Sequence, residues 1–513
     1  MPYIPKQYDS AIAFLKGYGN LLGNIVDPMD QARVKAYNLY DDFYHNRPET
    51  FQVTVRGSSD VEIYLPSTKK IIDSTARFLA VKFDWNLKGG NASELRAYFD
   101  NLNKREELQR KFVTAKKAGL TRGDAIWHIT ADPSKQRGTR ISIHTMHPSC
   151  YFPIEDGDRV IGCHLVDLVP DPRESTAAYP DRSKLVARRQ TYRKEDGGIT
   201  SEARLFELGG WDDRNLKPDE LKPLQGVKIL MPKKLLPKQI QTIPVYHIPN
   251  NVPDGSTWGT SQVAGIEYII NALNQSTTYE DLSLVLQGLG VYVSSAGPPT
   301  GPDGKPGEYK LHPGNVVEIG QDDTFQRVTG VASVTPFQEH MQWMDDYAAK
   351  GLGLPDMASG KVDVSVAQSG IALALEMGPI ISENEDKQLT IGGKWDQIGH
   401  DLIQGWLPAF EELESNGTVW ETVFGDPMPV NRESKIEELV TLKTAGLLLI
   451  DEVRQEMEKL GYEYKPGITE KLLAEARAIA DTAMGNTSGE ADAGVDDFSD
   501  IGTLNGSQLA FEV

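Results

Sequence analysis

Cysteine is almost missing: Cys150 and Cys163 are the only two in 513 residues. That excludes a disulfide framework, and cytosolic folding should keep both thiols reduced, packed or at the surface. Long apolar runs are missing too, none approaching the roughly 18 residues that a membrane span needs. The opening Met1-Pro2-Tyr3-Ile4-Pro5-Lys6 has no basic segment ahead of an apolar one. No signal peptide is therefore expected, and the chain should fold where it is made. Basic excess is absent: 53 Lys and Arg against 73 Asp and Glu leave a net charge of −20. Proteins that grip nucleic acid neutralise phosphates with cations, so this chain as a whole would repel DNA. Its basic clusters, Lys104-Arg105, Arg110-Lys111, Lys116-Lys117, Arg188-Arg189 and Arg193-Lys194, are interleaved with Glu or apolar residues and read as solvated faces.

The signatures of common chemistry fail on spacing. Gly304-Lys305 invites a phosphate-loop reading, but Pro299 stands where the first glycine belongs and Pro306 replaces the magnesium-binding hydroxyl. His144 and His147 lie near His128, Cys150, Cys163 and His164, yet on a strand an odd separation sends His144 and His147 to opposite faces. No C-x₂-C, H-E-x-x-H or G-x-S-x-G is present. Acidic groups such as Asp345-Asp346 and Glu383, Glu385, Asp386 are what a −20 chain produces without catalysis. No catalytic residue, cofactor or metal ligand is assigned.

What is present is an ordered series of elements, enough for roughly two to four structural units. Residues 8–45 carry helical spacing, with Asp30 as a candidate cap of a second helix. Residues 51–65 alternate and read as a hairpin around Gly57-Ser58-Ser59. Residues 92–118 read as one helix stopped by Gly119. From 124 to 248 strands dominate, with a turn at Gly197-Gly198, giving an α+β domain with antiparallel sheet. A long helix is expected from Ser261 to Gln287, striped by Val263, Ile266, Ile270 and Leu273. A Gly/Pro-rich stretch, 297–307, follows, bracketed by strands at 291–293 and 316–319. Helix resumes over 336–350 and again over 370–413, with Trp395, Ile398, Leu402 and Trp406 as its stripe. Gly378-Pro379 and Gly392-Gly393 should kink that helix or interrupt it. Asn416-Gly417 turns into a strand pair over 418–424. Helices near 436–446, 451–461 and 469–484 precede an acidic tail, 486–513, expected to be disordered.

Four stretches carry a resemblance to the portal proteins of tailed double-stranded-DNA bacteriophages. Ile243-Pro244-Val245-Tyr246-His247-Ile248-Pro249-Asn250 with Trp258-Gly259-Thr260-Ser261 resembles the passage into a portal's first stem helix. Phe337 to Pro355, ending Gly-Leu-Gly-Leu-Pro, is similar to the second stem helix and its exit. Ser369-Gly370-Ile371-Ala372-Leu373-Ala374-Leu375-Glu376 with Gly378-Pro379-Ile380 resembles the start of the long helix after the tunnel loop. Phe424-Gly425-Asp426-Pro427-Met428-Pro429 with Leu439 to Asp451 is similar to the approach to the crown. The resemblance covers most of the chain, and its specificity lies in order and spacing. The Pro/Gly-rich insert is unusual for the family.

The resemblance implies a portal fold assembled as a ring of twelve subunits. Wing would be 1–255 with 370–430, stem 256–287 and 336–353, clip 288–335, tunnel loop 354–369 and crown 431–485. Such a ring sits at the capsid vertex of a virion assembled in the host cytoplasm, with no membrane involved. It passes double-stranded DNA without sequence-specific binding, and docks terminase and later a head–tail adaptor beside the major capsid protein and scaffold. The residues it would turn toward DNA are Asp356, Ser359, Lys361, Asp363, Ser365 and Gln368, with Lys361 the candidate phosphate contact. The stripe of the 261–287 helix would bury against a neighbouring subunit. The alternatives are a monomeric phage-head scaffold or adaptor, and a DNA-processing enzyme, which would need clustered carboxylates or a phosphate loop.

Overall fold

The computed structural model describes residues 28–54, 61–79, 83–156, 159–173, 185–207, 222–289, 291–295, 304–305, 322–328, 335–355, 370–425, 432–445, 447–448, 453–454 and 456–457. The chain divides into two units, Met1–Pro427 and Met428–Val513. In the second, α8 (Arg432–Thr444) buries Leu439 and leaves Val440 exposed. The expected helices at 469–484 and the tail 486–513 lie outside the described residues, as do residues 8–27.

Among the described residues the first helix of the first unit is α1 (Pro28–Tyr44), whose proline supplies a preset φ for a first helical position. Asp30 is therefore not the cap expected of it; it lies in the first turn and pairs with Arg33 at 2.8 Å. After α2 (Ser67–Leu79) and β1 (Asp84–Lys88), the expected single helix over 92–118 is two: α3 (Ala92–Glu106) and α4 (Leu108–Arg122). Glu107 breaks them apart at φ 52, and Gly119 lies inside α4, which stops instead at Gly123, φ 98. The strands follow as β2 (Asp124–Ala131), β3 (Ile141–Met146), β4 (Tyr151–Asp156), β5 (Arg159–Pro170), β6 (Leu185–Glu195), β7 (Gly198–Phe206), β8 (Met231–Leu235) and β9 (Val245–Pro249). They form two antiparallel sheets, β3-β2-β9 and β4-β5-β6-β7-β8. The α+β class stands. Glu195 faces Gly198 across the β6–β7 turn, and Gly198, φ 124, takes a conformation that favours glycine.

Beyond the sheets run α5 (Glu267–Leu289), β10 (Val291–Ser294), β11 (Phe325–Val328), α6 (Thr335–Gly351) and α7 (Gly370–Asp401). The strand expected at 316–319 lies outside the described residues; β10 pairs with β11. Neither Gly378-Pro379 nor Gly392-Gly393 interrupts α7. The irregularity comes later, as a π-helical segment over Leu402–Glu411 that contains Pro408, since a helix can widen locally to absorb a residue that cannot donate. After the turn at Asn416-Gly417, β12 (Val419–Val423) has no strand partner in its own stretch and pairs antiparallel with β1, over three hundred residues earlier.

The main core explains why α7 runs on. Trp395, Ile398, Leu402 and Trp406 are all buried, as their spacing predicts. They meet aromatic residues from α3, α4, β1, β2 and β12. Phe83 stacks on Phe112 with centroids 4.0 Å apart, Trp85 on Trp420 at 5.1 Å, and Trp127 meets Trp395 edge-on at 4.8 Å. A Cβ at Gly399 would enter the Trp420 ring, so β12 can lie against α7 only where the helix has no side chain. No helix among the described residues is long and apolar enough to cross a membrane.

Candidate functional site: a helix pair carrying a ribbon

α5 has 23 residues and is about 34 Å long. It starts at Glu267, later than the sequence suggests, because Gly265 turns the chain at φ 96. The Glu267 carboxylate fastens that start, accepting from the Gly265 N–H at 2.8 Å and the Tyr40 hydroxyl at 2.6 Å. The stripe Val263, Ile266, Ile270 and Leu273 is buried, but inside a single chain. The expectation that a neighbouring subunit covers it is thereby corrected.

The polar face of α5 does something the sequence reading missed. Asn271, Asn274, Gln275 and Thr278 fall at i, i+3, i+4 and i+7, hence on one face. The Gln52 N–H donates to Asn271 Oδ1 at 3.2 Å and the Thr54 N–H to Gln275 Oε1 at 2.7 Å. The Ile63 N–H donates to Thr278 Oγ1 at 3.1 Å and the Leu65 N–H to Asn274 Oδ1 at 2.9 Å. Residues 52–54 and 61–66 are thus extended but are not the strands of a hairpin; helix side chains take their backbone donors. Residues 55–60, with the expected turn, lie outside the described residues. Asn274→Ala should cost about 1–3 kcal/mol, since Asn274 is fully buried and the Leu65 N–H loses its acceptor. A shift in urea midpoint, with faster amide exchange at Leu65, checks this; an unchanged Leu65 exchange rate would contradict it.

α6 packs antiparallel on α5. Thr277 Oγ1 meets Met341 Sδ at 3.2 Å, and Gln338 Nε2 donates to Glu280 Oε1 at 2.9 Å. Lys70 of α2 pairs with Asp345 at 3.1 Å. The far end of the pair carries the β10–β11 ribbon, in register from Val291↔Val328 to Ser294↔Phe325. Met344 and Ala348 are buried, while His340, Trp343 and Tyr347 stack in a row, Trp343 60% and Tyr347 58% exposed.

The near end is fixed by two buried polar nodes. At one, Gln262 Nε2 donates to Glu383 Oε1 at 2.7 Å, Lys387 Nζ donates to Gln262 Oε1 at 2.7 Å, and Lys387 pairs with Glu383. Gly353, φ 69, passes against the Glu383 carboxylate, so the exit of α6 meets α7 where a side chain would intrude. At the other, the buried Asp124 carboxylate accepts from the Tyr37 hydroxyl at 2.6 Å, His247 Nε2 at 2.6 Å and the Gly259 N–H at 2.9 Å. Beside it the Arg33 guanidinium lies 3.9 Å over the Trp258 ring and donates to the carbonyls of Pro148 and Tyr151. From this base the chain leaves at Pro355. The DNA-facing candidates Asp356, Ser359, Lys361, Asp363, Ser365 and Gln368 lie outside the described residues.

One cluster has the residue types of a nucleophilic relay. Ser149 Oγ lies 2.6 Å from His147 Nδ1, and His147 Nε2 lies 3.3 Å from Asp41. Its chemistry is that of a cap. His147 Nδ1 accepts from the Ser149 N–H at the turn over Pro148–Cys150, Arg122 takes up Asp41 at 2.8 Å, and Ser149 is buried beyond reach of substrate. The remaining histidines discussed above bond separately, His128 to Tyr192, His144 to Thr130 and His164 to Thr191. Both cysteines are buried and form no disulfide, and burial pushes the Cys163 thiol upward. Of the basic clusters, Lys116 and Arg189 depart from the solvated reading: Lys116 is 6% exposed and the Arg189 side chain 11%.

No protein-family model and no curated protein matches the chain. Among solved structures it is similar to a chain of the virion of a native gene transfer agent particle, at 12% identity and a TM-score of 0.41, covering 84% of this chain and 94% of that one. It is similar to a chain in the neck of the native particle, computed with C12 symmetry, at 13% identity and a TM-score of 0.38, covering 76% and 89%. A chain in the neck of the empty particle, computed with C6 symmetry, gives 12% and 0.38, covering 78% and 91%. Likenesses this remote leave the function to be argued from the chain's own sequence and geometry.

Proposed function

We propose that the chain is the subunit of a phage portal ring, through which double-stranded DNA enters and leaves a capsid. The observation that carries the reading is the antiparallel α5–α6 pair, with a ribbon at its far end and a doubly anchored base from which the chain leaves at Pro355. A stem bearing a clip, standing on a wing, has this order. In this reading the wing is 1–255 with 370–430, the stem 256–287 with 336–353, and the clip 288–335. The tunnel loop is 354–369 and the crown 431–485, with 486–513 an acidic tail.

Two further features support it. A ring closed by head-to-tail contacts joins two different surfaces of neighbouring copies. The exposed Trp343–Tyr347 row on α6 and Tyr268 on α5, 83% exposed, offer two such apolar surfaces. Twelve copies at −20 each would carry −240, and an acidic assembly would keep a sliding duplex from adhering. The tunnel-loop residues named above, Lys361 among them, would face the DNA. Terminase would dock at the clip and a head–tail adaptor would later take its place; capsid protein and scaffold would surround the wing. No turnover is expected of such a conduit.

Solution mass tests this. Twelve subunits of 56.7 kDa make a particle of about 680 kDa. Trp343→Glu should return the protein to the monomer, since a charge in a closed aromatic contact costs roughly 2 kcal/mol or more per interface. A chain that stays monomeric even with scaffold and capsid protein present, or that cleaves DNA or hydrolyses ATP, would overturn the reading.

A further inference from the structure

A cavity of about 300 Å³ lies between α4, the β2–β9 pair and α7. That is the lower end of the range for small-ligand sites, roughly 300–1,000 Å³. Phe112, Trp127, Ile248, Ile391 and Trp395 make its walls apolar, and the exposed Asp386 and Thr390 mark its mouth. Two buried ammonium groups line it, and they differ. Lys387 is taken up by Glu383 and Gln262. Among the described residues Lys116 has no carboxylate: its one oxygen partner there is the Leu79 carbonyl at the end of α2, and its other neighbours are the ring faces of Phe112, 4.1 Å away, and Phe424, 5.1 Å away. An ammonium has three donors, so two of them have no oxygen partner among the described residues.

A buried amine in that position costs stability unless it is neutral or paired. We propose that the cavity binds a small apolar monocarboxylate, whose head pairs with Lys116 and whose chain lies along Phe112, Trp127 and Trp395. One negative charge matches one unpaired ammonium, and an apolar body matches the walls. A phosphate dianion would bring a second charge that the walls cannot solvate. The other charged groups lining the space, Glu383, Asp386 and Lys387, all belong to α7. Burial holds the Lys116 amine down at about 7. The Lys116 amine of the empty site is therefore largely neutral at pH 8, and binding of the anion draws a proton from solvent to form the ion pair.

Calorimetry of the full chain with octanoate and 1-octanol tests this. Octanoate should bind about tenfold tighter or more, the size of a charge-assisted contact. Titrations near pH 8 in buffers of different ionisation enthalpy should show uptake of about one proton per chain with octanoate and none with octanol. Lys116→Met, which replaces a buried amine by an apolar side chain of similar length, should abolish both the preference and the proton uptake. Equal affinities for acid and alcohol, no proton uptake, no octanoate binding up to about 10 mM, or undiminished octanoate binding by the variant would each overturn the proposal. Should the variant not fold, the wild-type comparison and the proton count decide the matter.

Discussion

Asp124→Ala is expected to lower the stability of the first unit by about 4 kcal/mol, the largest effect of any single substitution at the base of α5. The carboxylate is fully buried and accepts three hydrogen bonds, from Tyr37 in α1, His247 in β9 and the Gly259 backbone. Truncation leaves three donors without an acceptor, each worth about 1–3 kcal/mol and partly relieved by relaxation. The surrounding chain has little room to adjust. Gly123, φ 98, and Gly259 cross so closely that a Cβ on either would strike the other's carbonyl. Asn250 is tied into the same crossing, its N–H donating to the Gly123 carbonyl at 2.6 Å and its carbonyl accepting from the Thr260 N–H at 2.7 Å. Loss of Asp124 should therefore free residues 256–260 and with them the start of α5. Urea unfolding should show the destabilisation, and amide exchange at Gly259 should accelerate before global unfolding. Asp124→Asn, which keeps the shape and one acceptor, should cost less. A change below about 1 kcal/mol for Asp124→Ala would mean that the node does not hold the helix pair.

The sequence was most legible where one face of one element decides its place. The stripe of α7 and its π-helical extension, Trp395 to Trp406, and the succession of strands from β2 to β9 needed no partner to be read. Three features were hidden because their cause lies elsewhere in the chain. The strand β12 was expected, but its partner is β1, across the long intervening sequence. Residues 52–54 and 61–66 alternate like strands, yet their donors go to amide and hydroxyl side chains on α5, which in sequence look like a wetted face. Lys116 sits in a charged run with Lys117, and nothing local separates the buried amine from its neighbour. The break at Glu107 did leave a trace. Leu95, Tyr98, Phe99 and Leu102 of α3 and Leu108, Phe112 and Ala115 of α4 lie on stripes offset by roughly 120° at 3.6 residues per turn. One straight helix cannot bury both stripes on the same core. The sequence carries no glycine or proline to mark the break, and a non-glycine residue takes the left-handed conformation at a cost of about 1–2 kcal/mol. The candidate site divides the same way: the helix pair and ribbon could be ordered from sequence, whereas the nodes at Asp124 and Glu383 join elements 87 to 135 positions apart.

Acid should weaken this fold well before carboxylates protonate, and two histidines are the cause. Burial holds His128, between β2 and Tyr192 of β6, down at about 3, with His144 adding to the effect. Burial also holds His147 down at about 4, aided by Arg122 and opposed by Asp41. In the unfolded chain both revert to about 6.5. Above pH 6.5 both states are neutral and the fold keeps its full stability. As pH falls below 6.5 the unfolded chain takes up protons that the fold refuses, and stability drops until the folded histidines titrate near 4 and 3. At about 1.4 kcal/mol per unit, each histidine removes about 3 kcal/mol by pH 4. Asp41 acts in a separate window. Burial would raise it, but Arg122 and His147 outweigh burial and hold it at about 2, so its contribution is present above 3.8 and is lost between 3.8 and 2. The urea midpoint should therefore fall steeply from pH 6.5 to 4. His147→Asn keeps an acceptor for the Ser149 N–H, and His128→Phe keeps an aromatic ring against Tyr192; together they should remove most of that slope. A wild-type midpoint that is level across this window would show that the two rings accept protons in place. The cap at Pro148–Cys150 and the contact between the two sheets at Tyr192 would then tolerate a charge that their burial says they cannot.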